Sequence, residues 1–81
     1  MLKVRKFKTD EWVYFCPYPE SSYERFRNEK IRSVILEVLP QGDIHDYRIF
    51  IDDGTSTIKK VKEKNLSGMT WILLHILPIY Y

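Results

Sequence analysis

Cysteine, glycine and long apolar runs are scarce in this chain, and each scarcity removes a class of molecule. Cys16 is the only cysteine, so no internal disulfide staples the fold, and a reducing, intracellular (cytoplasmic) setting is expected. The three glycines, Gly42, Gly54 and Gly68, all read as turn positions. They supply neither a glycine-rich phosphate loop nor a G-x-S-x-G elbow. His45 and His75 are the only histidines and form no close pair with each other or with Cys16, which gives zinc no ligand set. No metal and no other cofactor is expected. The run WILLHILPIYY is broken by Pro78 and is about half the ~20 residues of a membrane-spanning helix. The opening MLKVRKFK is basic and lacks the apolar run of a signal peptide. Charge of one sign is also missing: thirteen Lys and Arg against eleven Asp and Glu leave +2, too little to announce a nucleic-acid binder by itself.

What is present is an ordinary globular mixture, 44% hydrophobic and 30% charged, in a chain of one-domain size. A chain this short buries only roughly 60% of its unfolded surface, so its core is small. The whole span 1–81 reads as a single domain, with a basic N-terminal segment 1–8 and an apolar closing strand and tail at 69–81. Five apolar groups are separated by turn chemistry. EWVYFC (11–16) is short and aromatic and ends at Pro17. KIRSVILEVL (30–39) is aliphatic and β-branched, and ends in Pro40-Gln41-Gly42-Asp43. Residues 47–52 alternate, with Tyr47, Ile49 and Ile51 on one face and Arg48, Phe50 and Asp52 on the other. Residues 57–62 alternate more weakly, with Ile58 and Val61 inward, and 69–77 close the set.

These groups predict a mainly β domain of five strands curled into a small barrel, with a short helix near 21–28. A rival reading is α+β. Ser21-Ser22-Tyr23-Glu24 resembles a capping box, and Ile31, Val34, Ile35, Val38 and Leu39 have helical spacing, which would give a helix over 22–39. Asp52 and Asp53 invite a catalytic or metal-binding reading, but Asp53-Gly54 between two alternating runs is a hairpin signal. DDGTSTIKK also lacks the alternating oxygen ligands and distal Glu of a calcium loop. The carboxylates are expected to turn the chain.

Aromatic residues beside basic ones are the feature that suggests function. Trp12, Tyr14, Phe15, Tyr18, Tyr23 and Phe26 fall close together, and Arg25, Arg27, Lys30 and Arg32 follow. With Val13 and Phe15 inward, Trp12 and Tyr14 face outward. So small a core cannot cover all its rings. A binding surface is therefore expected at Tyr14, Tyr18, Tyr23, Arg25, Arg27, Arg48 and Phe50, offering rings for stacking and guanidiniums for carboxylate or phosphate. Two basic runs form a second candidate set, Lys3, Arg5, Lys6, Lys59, Lys60 and Lys62, suited to phosphates. Lysines on a strand also blunt a sheet edge. In the C-terminal run Trp71 and Leu73 share a face while Ile72 and Leu74 share the other. That two-sided apolar pattern predicts a cover from the tail, a target protein or a second copy, with Trp71, Leu73, Tyr80 and Tyr81 in self-association.

Three stretches carry a resemblance: Phe7-x-x-x-Glu11-x-Val13, then Tyr47-Arg48-Ile49-Phe50-Ile51-Asp52-Asp53-Gly54-Thr55, then Val61-x-x-x-Asn65-Leu66. Over residues 7–68 their order resembles the Tudor-like branch of SH3-type barrels, where a strand ending in an acidic turn leads to a short strand, a single turn and a closing strand. The resemblance implies a fold rather than an activity. Methyl-lysine readers of that family place rings at two cage positions. Tyr14 or Tyr18 matches the first, but Ile51 stands at the second, so that specificity is not implied.

The function expected is a non-catalytic intracellular binding module that contacts a protein or nucleoprotein partner. The alternatives are a nucleic-acid-binding small barrel that uses 3–8 and 59–64, and an oligomeric enzyme with an inter-subunit site. No membrane partner is expected.

Overall fold

The computed structural model describes residues 4–69. The chain runs β1 (Trp12–Phe15), a one-turn helix α1 (Glu24–Arg27), β2 (Ile31–Val38), β3 (Tyr47–Ile51), β4 (Thr57–Val61), a 3-10 turn (Glu63–Asn65) and β5 (Leu66–Gly68). All pairings are antiparallel, in the order β4-β3-β2-β1-β5. The domain is mainly β, as the alternating runs predict.

The segment with two readings is a strand. Ser33 and Ile35 are fully buried while Arg32 and Glu37 are exposed, the period-2 pattern of a half-buried sheet. Among the described residues α-helix is confined to α1, which lacks a side-chain cap: its N-cap is Tyr23. Ser21 Oγ instead accepts the Tyr23 N–H at 3.1 Å, so the apparent capping box makes a local turn. The register shifts between Ile35 and Glu37, so that Leu36 and Glu37 together oppose Arg48. This bulge bends β2.

The described residues do not form the expected closed barrel. Among the described residues the sheet is open, with β4 and β5 at its two ends. It is nevertheless curled. Val61 of β4 and Leu66 of β5 join one buried cluster with Phe7, Val13, Phe15, Ile35, Tyr47, Ile49 and Ile51. Lys59 Nζ of β4 lies 5.8 Å from the ring centroid of Phe15 of β1, three strands away in the sheet. The N-terminal segment contributes Phe7, whose ring meets Tyr47 edge-on at 5.9 Å.

One further expectation differs from what is seen. Ile58 is 57% exposed, since it lies opposite Phe50 on the outer face. Among the described residues the last strand is β5, Leu66–Gly68, and the closing strand expected over 69–77 lies, from residue 70 on, outside them. Among the described residues no helix is long and apolar enough to cross a membrane.

The β3–β4 connection behaves as its sequence predicts. Gly54 has φ +89° and Ser56 φ 57°, conformations that glycine adopts without strain. The Asp53 carboxylate accepts the Thr55 N–H at 3.0 Å and the Thr55 hydroxyl at 2.5 Å. Those hydrogen bonds hold its pKa below the usual carboxylate value. Asp52 turns away to Arg32, 3.7 Å off. The pair shapes the hairpin.

Candidate binding surfaces

The aromatic and basic residues singled out from the sequence fall into two groups. The first is the loop joining β1 to β2. Tyr18 and Tyr23 each meet Phe26 edge-on, with centroids 6.0 Å apart in both cases, and the Arg25 guanidinium lies 5.9 Å from the Phe26 centroid. All three rings remain substantially exposed, Tyr23 most of all at 70%.

Backbone chemistry holds this loop in place. The Cys16 N–H donates to the Asn65 carbonyl at 2.7 Å, and the Asn65 side-chain amide donates back to the Cys16 carbonyl at 3.0 Å. At the far end the Cys16 thiol points to the Arg27 carbonyl at 3.2 Å, and the Arg27 guanidinium donates to the Ser21 carbonyl at 3.2 Å. Arg27 therefore braces the loop. Between loop and 3-10 turn lies an open cleft of about 310 Å³, lined by Pro17, Tyr18, Pro19, Glu20, Ser21, Lys64 and Asn65. Lys64 and Glu20 face each other across it at 3.3 Å. Tyr18 also lines an adjoining hollow with Ser21 and Phe26.

The second group lies on the outer face of the sheet. Tyr14 is half-buried there, opposite Arg32 and Ser67. Phe50 is half-buried between Val34 and Ile58. Arg48 stands between Glu37, its ion-pair partner at 3.2 Å, and Lys60. Trp12, 43% exposed, carries the Arg32 guanidinium 5.0 Å from its ring centroid.

The residues of the basic runs do not act alike. Arg5 is largely buried and serves the fold, donating to the Asp46 carboxylate and to the Leu39 carbonyl. Asp46 in turn accepts the Glu63 N–H at 2.8 Å. Glu63 accepts the Lys6 N–H at 2.8 Å and the Tyr47 hydroxyl at 2.5 Å. The Tyr47 oxygen accepts the Phe7 N–H at 3.1 Å. Burial and the neighbouring Glu63 carboxylate push the Tyr47 pKa up to about 12. This network fastens the N-terminal segment to β3. Lys59, Lys60 and Lys62 are exposed on or just beyond β4, an end strand of the sheet, where lysines discourage edge pairing. Lys3, Trp71, Leu73, Tyr80 and Tyr81 lie outside the described residues.

Sequence reasoning missed the part played by Lys64 and Asn65, which become neighbours of Tyr18 only through the β1–β5 pairing. It also missed Val34 and Ile58, whose outward position depends on strand register. Among the described residues no group of three or more His, Cys, Asp or Glu side chains could hold a metal ion. In comparisons with known proteins the chain matches no family model, no curated protein and no solved structure.

Proposed function

We propose that this chain is a non-catalytic binding module of SH3/Tudor-like type, acting inside the cell, and that it takes an extended peptide segment of a protein partner at the loop cleft. The strand order, with a 3-10 turn leading into β5 beside β1, supports the family assignment. The single cysteine supports the intracellular setting.

One observation carries the binding reading. Tyr18 belongs at once to the cleft lined by Pro17, Pro19, Lys64 and Asn65 and to the hollow beside Phe26. Adjacent shallow slots walled by aromatic rings suit a chain that is already extended, because a polyproline-type ligand loses little entropy and packs rings against rings. Arg25 and Lys64 offer cations at the rim, where charge sets orientation and on-rate more than affinity. Exposed rings locked by edge-to-face contact are also prepared for binding, which lowers the ordering cost.

The test is peptide selection on the intact protein from a displayed random library, with counter-selection on Phe26→Ala. Enriched sequences should be extended and proline-containing, lose at least about tenfold in affinity on Tyr18→Ala or Phe26→Ala, and depend little on salt. Ligands that bind both variants as tightly as the wild type would rule out this cleft.

A further inference from the structure

The outer face of the sheet carries an uninterrupted row of apolar side chains. Trp12 pairs with Val34, Val34 with Phe50, and Phe50 with Ile58, so one residue from each of β1, β2, β3 and β4 stands in line. Trp12 and Ile58 at the ends are 43% and 57% exposed. A half-buried sheet normally puts polar side chains on its solvent face, and a four-strand apolar row there calls for an occupant.

The border of the row indicates which. On one side Tyr14 pairs with Arg32, and Arg32 lies over the Trp12 ring. On the other side Arg48 pairs with Lys60. Two of these cations, Arg32 and Arg48, are ion-paired to exposed carboxylates, Asp52 at 3.7 Å and Glu37 at 3.2 Å, pairs weak enough to give way to a phosphate. Arg48 and Lys60 face each other directly, an unfavourable pairing that a bound anion would relieve. The Arg32 guanidinium lies 5.0 Å from the Trp12 ring centroid, so its move to a phosphate would uncover that π-face for a base. Trp12 and Phe50 are two strands apart, about 10 Å.

We infer that this face binds single-stranded nucleic acid, with Trp12 and Phe50 as stacking platforms and Arg32, Arg48 and Lys60 as phosphate contacts. Flat rings bordered by cations form the sequence-tolerant arrangement such strands require. A purely apolar partner would gain nothing from the cationic border.

The experiment is fluorescence anisotropy of a fluorescein-labelled oligothymidine of about twelve nucleotides, within the ~4–16 that a single OB fold covers, titrated with the full chain and repeated with a duplex of equal length. The single strand should bind more tightly than the duplex. With three phosphates neutralised, log affinity should fall against log salt with a slope of about −2. Trp12→Ala should weaken binding about tenfold and Trp12→Phe should restore most of it. Phe50→Leu keeps apolar bulk under the ring's position and should weaken binding without unfolding the domain, as circular dichroism would register. Glu37→Gln releases Arg48 and should tighten binding, which a merely structural role for Arg48 would not produce. No anisotropy change, equal affinity for the duplex, or wild-type binding by both Trp12→Ala and Phe50→Leu would each overturn the inference.

Discussion

Replacing Tyr47 by Phe removes one oxygen and should unfasten the N-terminal segment. The Tyr47 hydroxyl accepts the Phe7 N–H and donates to Glu63. Tyr47 is fully buried and Phe7 only 4% exposed. The phenyl ring of the variant fills the same space, so no cavity term arises. What remains is a buried amide without an acceptor, together with a carboxylate that loses one of its donors. A buried group left unsatisfied costs about 1–3 kcal/mol. Glu63 still accepts the Lys6 N–H, which limits the second loss, so about 2 kcal/mol is expected for the pair. A domain of this length has a total stability of about 4–12 kcal/mol, so the loss is a large share. In urea, with a slope near 1 kcal/mol/M for so small a protein, the midpoint should fall by roughly 2 M at unchanged slope.

The same oxygen gives a pH signature. Its folded pKa of about 12 lies above the ordinary value of 10.0. Between these values the unfolded chain loses the proton first, so the contribution is complete below pH 10 and disappears as pH rises toward 12. The stability difference between wild type and Tyr47→Phe should therefore shrink across that window, and taking the difference removes the background of other alkaline titrations. Hydrogen exchange at the Phe7 amide should also accelerate in the variant. A midpoint within the error of the wild type, with an unchanged alkaline limb, would refute the role given to this network.

The same network makes Asp46→Ala more damaging, at about 3–5 kcal/mol, because the buried Arg5 guanidinium loses its counter-charge and the Glu63 N–H its acceptor; thermal unfolding followed by circular dichroism measures it. Gly54→Ala should cost about 1 kcal/mol and no more: φ is +89°, yet an added Cβ would meet nothing within 4 Å. Asp53→Asn should be less stable than the wild type at neutral pH, and the two should converge on acidification. The folded carboxylate has a lowered pKa, so its contribution is lost once it is protonated in both states; acid titration of the denaturation midpoint checks it.

Strand phase was readable wherever the period stayed at two. Tyr47, Ile49 and Ile51 alternate with Arg48 and Phe50 in the sequence, and they do so in the fold, with the first three buried. Val13 and Phe15 behave the same way in β1. The ambiguity over residues 22–39 has a specific cause. The inward residues of β2 are Ile31, Ser33, Ile35 and, past the bulge, Val38. The extra residue at Leu36 stretches one interval from two positions to three and so imitates helical spacing. A bulge depends on cross-strand pairing, which the β2 sequence alone does not display. Ile58 was misplaced for a related reason. In TIKKV only the phase relative to Phe50 decides its face, and that phase is set across the hairpin by a five-residue connection with two left-handed positions.

The candidate surfaces follow the same division. The rings of the β1–β2 loop are close in sequence, so their clustering could be anticipated from composition, and only the brace of Asn65 and Lys64 had to come from the fold. The outer apolar row is different in kind. Trp12, Val34, Phe50 and Ile58 are single residues from four separate strands, each unremarkable in its own segment, and they line up only because three independent registers agree. A one-residue slip in any of the three would send one member into the core or replace it with a charge. The interior face already fixes each register through Val13, Ile35, Ile49 and Val61, so the outer row follows from core packing at no further cost in specificity. Its composition is thus free to vary without unfolding the sheet, and substituting Trp12 or Ile58 should alter what the face binds well before it alters whether the domain folds.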